Sequence, residues 1–124
     1  MGRLGVLLDS NILIDYFEGI PAAAREVRLP RNRAISLVTW IEVMVGVAPE
    51  DEMRVRSFLR NRFNTLPITN PIAERAVNLR REHRLKLPDA LILATAEVED
   101  YLLLTRDTRD FPQAHTRVHI PYQV

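Results

Sequence analysis

At 124 residues, 47% apolar and 27% charged, the chain has the composition of one folded domain and is far from that of a disordered segment. A formal net charge of +1 points by itself to no polyanionic partner, although sixteen of the seventeen basic residues are arginine, whose planar fork grips phosphate at two points. The lack of cysteine excludes disulfides and thiolate metal sites, leaving oxygen and histidine as metal donors, and agrees with a cytoplasmic protein that makes no membrane contact.

GVLL, residues 5 to 8, is a short apolar tract predicted as a strand, and Asp9, Ser10 and Asn11 lead from it into a helix begun by ILIDYF. Pro21 and the alanines behind it open a second helix to about Leu29, which Pro30 and its polar followers end before a strand at AISLV. Thr39 and Glu42 have the T-x-x-E spacing of a capping box, so the next helix is expected from there through WIEVMVGV. Residues 50 to 62 place Glu50, Asp51 and Glu52 before Arg54, Arg56, Arg60 and Arg62, the polarity that a helix macrodipole favours on a solvated helix.

TLPI is a brief strand, and from Pro71 onward Ile72, Ala73, Ala76, Val77 and Leu79 fall on one face of a helix. Pro88 fits the first turn of a buried helix over DALILATAEVED, and YLLLT returns as a strand. Asp107 to Phe111 reads as a turn or short helix, and RVHIPY as an edge strand cut short by its proline. Strands alternating with helices predict parallel units with right-handed crossovers, hence a three-layer α/β domain with helices on both faces of the sheet.

Four carboxylates fall where a strand hands over to a helix or where a helix begins beside the sheet: Asp9, Glu42, Asp89 and Asp107. Singly each has a structural explanation. Asp9 suits an N-cap, Glu42 the return arm of a capping box, Asp89 the first turn of a helix, and Asp107 an Asx-turn. Together they gather at the edge of an open parallel sheet where the carboxyl ends of strands bind ligands. Two like charges about 4 Å apart repel by roughly 4 kcal/mol at an effective dielectric of about 20, so four need a cation among them. Hard oxygen donors select Mg²⁺ or Mn²⁺, whose chemistry suits phosphodiester hydrolysis. The expected arrangement has Asp9 and Asp89 as primary ligands, with Glu42 and Asp107 holding a second ion or the attacking water.

The motifs LLDSNILID around Asp9, SLVTWIEVMVG around Glu42, LKLPDALILATA around Asp89 and LLLTRDTRDF around Asp107 resemble, in order and spacing, those of PIN-domain ribonucleases, most closely the VapC-type toxins. The likeness spans essentially the whole chain as a single domain, residues 1 to 124. It implies a small central parallel sheet flanked by helices, Mg²⁺ or Mn²⁺ as cofactor, and endonucleolytic cleavage of RNA. It carries acidic-site roles onto Asp9, Glu42, Asp89 and Asp107, with Asn11 and Thr105 as hydrogen-bonding support and Asp110 in reserve for Asp107. It also implies a small antitoxin partner and a homodimer. A housekeeping RNA-processing nuclease and a non-catalytic RNA-binding module are the alternatives.

Other features read as structural. His83, His115 and His119 lie away from the four acid motifs, and Asp15, four residues after Asn11, is expected in solvent. Trp40 reads as core or interface. The arginines of MRVRSFLRNR suit either a phosphate track or a solvated helix face.

Overall fold

The computed structural model describes residues 5–107, 109–111 and 115–123. Thr108, inside the turn expected from Asp107 to Phe111, lies outside the described residues.

β1 (Gly5–Leu8) is followed by α1 (Ser10–Phe17) and α2 (Pro21–Arg28), then β2 (Arg33–Ser36), α3 (Leu37–Val45) and α4 (Glu52–Arg62), the last two joined through a 3₁₀ turn at Pro49–Asp51. β3 (Asn64–Leu66), α5 (Asn70–His83), α6 (Leu87–Glu99), β4 (Tyr101–Leu104) and β5 (Val118–His119) complete the order. The strands form one parallel sheet in the order β3-β2-β1-β4-β5. β1 lies at its centre and is buried along its whole length, which is why GVLL is apolar without alternation.

Alternate strand residues feed two cores. Leu7, Ala34 and Leu103 pack with Ile72, Ala76 and Leu79 of α5 and with Ile92, Leu93 and Ala96 of α6. Val6, Leu8, Ile35 and Leu104 pack on the other face with Ile12 and Leu13 of α1, Val27 of α2, Val43 of α3 and Leu59 of α4. The three-layer α/β arrangement expected from the alternation of elements is the one observed. Gly5 is required by close approach, since a β-carbon there would lie 2.7 Å from the Tyr101 ring.

Two expectations need correction. α3 begins at Leu37, and its N-cap is Ser36, whose hydroxyl accepts from the Val38 amide at 3.0 Å. Thr39 lies inside the helix, fully buried, so no capping box forms there. On α5 only Ile72, Ala76 and Leu79 of the apolar set are buried, while Ala73 and Val77 face outward. The packed face is narrower because α5 meets α6 along a single seam. The last strand is an edge strand cut short as expected, keeping only Val118 and His119 before Pro121 removes a donor.

Candidate active site

The sheet order changes direction between β1 and β4: β2 and β3 are added on one side of β1, β4 and β5 on the other. At such a switch point the connections leaving two adjacent strands part to opposite sides and open a crevice at their carboxyl ends. Asp9 follows β1, and Thr105, Arg106 and Asp107 follow β4, so both segments enter that crevice. The Asp9 amide still donates to the Leu104 carbonyl at 2.9 Å, which ties the two strand ends together.

Asp9 is 5% exposed and serves as N-cap of α1. Its Oδ1 accepts from the Ser10 amide at 2.8 Å, and its Oδ2 accepts from the Thr105 hydroxyl at 2.8 Å. Ser10 in turn donates from its hydroxyl to Oε1 of Glu42 at 2.8 Å, linking the β1 and β2 junctions. Thr105 accepts from Asn11 Nδ2 at 3.2 Å and from the Asp107 amide at 3.1 Å. Asn11 Oδ1 accepts from the Arg106 amide at 3.2 Å. The support expected of Asn11 and Thr105 is therefore present as hydrogen bonds, with Thr105 joining Asp9 to Asp107.

Electrostatics place Asp89 with them. Burial pushes its carboxyl up to about 7, helped by the charges of Asp9, Asp110, Asp107 and Glu42. Asp9 is pushed up to about 6, first by burial and further by Glu42 and Asp107, against the hydrogen bonds from Thr105 and Ser10.

Burial acts to raise Asp107 too, but it is outweighed. The Arg109 and Asp110 amides donate to Oδ1 at 2.8 and 3.1 Å, and Asp110 shares a further hydrogen bond, so Asp107 is held below the ordinary carboxylate value. Asp110 is raised by that shared bond. Asp107 and Asp110 thus act as one unit, Asp107 closing an Asx-turn while its neighbour completes the acidic wall.

A family comparison decides what this crevice belongs to: the PIN domain profile matches residues 6–116. The chain belongs to the PIN-domain family. Ribonuclease VapC10 of Mycobacterium tuberculosis is 36% identical over 115 residues, covering 86% of each chain. Ribonuclease VapC19 of the same organism is 32% identical, over 86% of this chain and 91% of its own. Among solved structures, a chain of a toxin–antitoxin complex from Klebsiella pneumoniae superposes with a TM-score of 0.90 at 47% identity, over 97% of this chain and 100% of that one. PIN-domain membership accounts for the three-layer fold.

The oxygen donors of this PIN domain suit a divalent ion in kind. Five carboxylates, two of them raised toward neutrality, carry more negative charge than the protein compensates. Among the described residues no three acidic or histidine side chains are yet drawn close enough around one point to hold an ion.

Two contributors escaped the sequence reading. Asp15, expected in solvent, is 2% exposed and is held by Arg106 and by the Tyr122 hydroxyl. Only the break in the apolar pattern of ILIDYF signalled it. Lys86, three residues before Asp89, lines the cleft beside Asp110, and its proximity to Asp89 in sequence was the available signal. Of the histidines, His115 pairs with Glu97 at 2.6 Å, while His83, which approaches Glu82, lines the recess that reaches Asp89, nearer the acids than its place in the sequence indicated. Trp40 packs against the second core under the Arg56 guanidinium, 5.1 Å from the ring centre, while Arg54 and Arg56 pair with Asp51 and Glu52. The α4 arginines are largely occupied as a solvated helix face.

Proposed function

We propose that this chain is a divalent-metal-dependent endoribonuclease, the toxin of a toxin–antitoxin pair working in the cytoplasm. The observation that carries the reading is the hydrogen-bonded chain that ties Asp9 through Ser10 to Glu42 and through Thr105 to Asp107, with Asp89 near enough for their charges to raise it. Asp9 and Asp89 are the primary holders of Mg²⁺ or Mn²⁺, and Glu42 and Asp107 complete the site. When bound, such an ion supplies Lewis-acid polarisation of the phosphodiester and activation of water.

The residues of the chain do the rest. Thr105 and Ser10 fix the Asp9 carboxylate, so its two oxygens have defined directions. Ser10 holds Glu42 against the crevice, where an ionised carboxylate can accept a proton from water attacking phosphorus. Asp89, ionising near neutrality, is the group whose protonation most directly opposes ion binding.

An open groove of about 490 Å³ adjoins Glu42 and is lined by Ile14, Phe17, Val43, Val47 and Val55. Ile14 and Phe17 are 41% and 42% exposed, more apolar surface than a helix turned to water needs. This supports docking of an apolar antitoxin segment, whose arginine would supply the cation that the acids lack. The homologue names and the toxin–antitoxin neighbour at 47% identity point the same way. The homodimer is part of the proposal and is checked by light scattering of the purified protein.

The test is expression of the chain and of Asp89→Asn, followed by sequencing of cellular RNA ends. New ends that need Asp89 and disappear when the partner antitoxin is co-expressed support the reading. Identical RNA ends in both strains overturn it.

A further inference from the structure

Arg106 is the cation most firmly fixed beside the acids. Its Nε and Nη2 donate to the two oxygens of Asp15 at 2.5 and 3.0 Å, and Asp15 also accepts from the Tyr122 hydroxyl at 2.7 Å. A carboxylate that is 2% exposed must be paired, and two-point donation suits the guanidinium fork. The Arg106 amide donates to Asn11, the residue that also holds Thr105. Both the main chain and the side chain of Arg106 are therefore pinned, in the segment between Thr105 and Asp107.

Neutralising Asp15 uses one edge of the guanidinium. Among the described residues Nη1 has no partner, and the side chain, 32% exposed, lines an open cleft of about 650 Å³ together with Asn11, Lys86, Asp107 and Arg109. A second recess of about 280 Å³ shares Lys86, Arg109 and Asp110 with the first and reaches Asp89. The cleft thus runs past the acidic centre with Arg84, Lys86, Arg106 and Arg109 along it. Among the described residues the rings lining it are the His83 imidazole and Phe111, which is 3% exposed, so no large stacking platform for bases is offered. A cation whose rotamer freedom is already lost binds a phosphate at lower entropic cost than a free surface arginine.

We propose that Arg106, held by Asp15 and Tyr122, seats a backbone phosphate of the RNA strand beside the cleaved one, with Lys86 and Arg109 lining the same track. This rests on the ribonuclease reading and adds to it a positioning residue and the path of the strand. Recognition along this path is of the backbone, so it carries little base preference.

The test measures Mn²⁺-supported cleavage of a short single-stranded RNA by wild type, Arg106→Gln, Arg106→Lys and Tyr122→Phe across a salt series. Arg106→Gln is expected to raise KM about tenfold with kcat nearly unchanged and to reduce the salt slope of binding by about one. Arg106→Lys recovers only part of the loss, because an ammonium cannot keep both the hold on Asp15 and the phosphate. Tyr122→Phe removes one hydroxyl and raises KM by a smaller factor. An Arg106→Gln protein with a lowered melting temperature but unchanged KM and salt slope overturns the proposal. If Arg106→Gln does not fold, Lys86→Gln and Arg109→Gln are read instead, and unchanged slopes in both overturn it. If wild type binds RNA without cleaving it, the ribonuclease reading fails, while the binding slope of Arg106→Gln still decides the phosphate seat.

Discussion

Replacing Asp9 by asparagine is expected to stabilise the metal-free protein at alkaline pH while destroying its activity. The folded-state carboxyl is raised from 3.8 to about 6, so above that range the ionised group is less welcome in the fold than in the unfolded chain. At about 1.36 kcal/mol per pKa unit the shift amounts to about 3 kcal/mol of destabilisation. For a carboxyl raised on folding, stability is lost as pH rises through the window between the unfolded and folded values and is regained below it. Asparagine carries no charge, keeps an acceptor for the Ser10 amide, and deprives the Thr105 hydroxyl of its acceptor, a loss of about 1 kcal/mol. The net expectation is a gain of about 2 kcal/mol near pH 8, turning into a loss of about 1 kcal/mol near pH 4. Urea unfolding in EDTA, followed by circular dichroism at both pH values, reads the difference. A variant equally destabilised at both pH values would refute the charge-strain account of Asp9.

Proton and metal compete for the same oxygens, so at low Mn²⁺ activity should rise as pH passes the Asp89 value of about 7, and saturating Mn²⁺ should move that limb to lower pH; a pH–rate series at two metal concentrations checks this. Ser36→Ala should cost about 1 kcal/mol in urea unfolding, because Ser36 and not Thr39 caps α3. Placing a negative charge in the groove with Ile14→Glu, beside Glu18 and Asp51, should weaken antitoxin binding at least tenfold by titration calorimetry, since a buried unpaired charge is heavily penalised.

The order of elements was legible because β1 and β4, the strands beside the crevice, are short apolar tracts whose ends are marked by polar residues. Two of the acids were legible for the same reason: GVLL followed by Asp9, and YLLLT followed by Arg106 and Asp107, are strand ends announced by local composition. What could not be read locally was pairing across the chain. Asp15 looked like a surface residue because its partners lie 91 and 107 residues away, at Arg106 and Tyr122. The T-x-x-E spacing at Thr39 was a true pattern in the wrong frame, since Ser36 already supplied the cap and Glu42 turned to Ser10 in another segment. Ala73 and Val77 matched the helical period, but only contact with α6 decides which part of an apolar face is covered.

Mn²⁺-dependent RNA cleavage by the purified protein, compared in one assay with Asp9→Asn, Glu42→Gln, Asp89→Asn and Asp107→Asn, tests the shared acidic centre most directly. Wild type should cut with Mn²⁺ and stop with EDTA, and each substitution should cost at least about a hundredfold, the loss of several kcal/mol of charge stabilisation. Cleavage that persists in EDTA, or that survives removal of both Asp9 and Asp89, would contradict it.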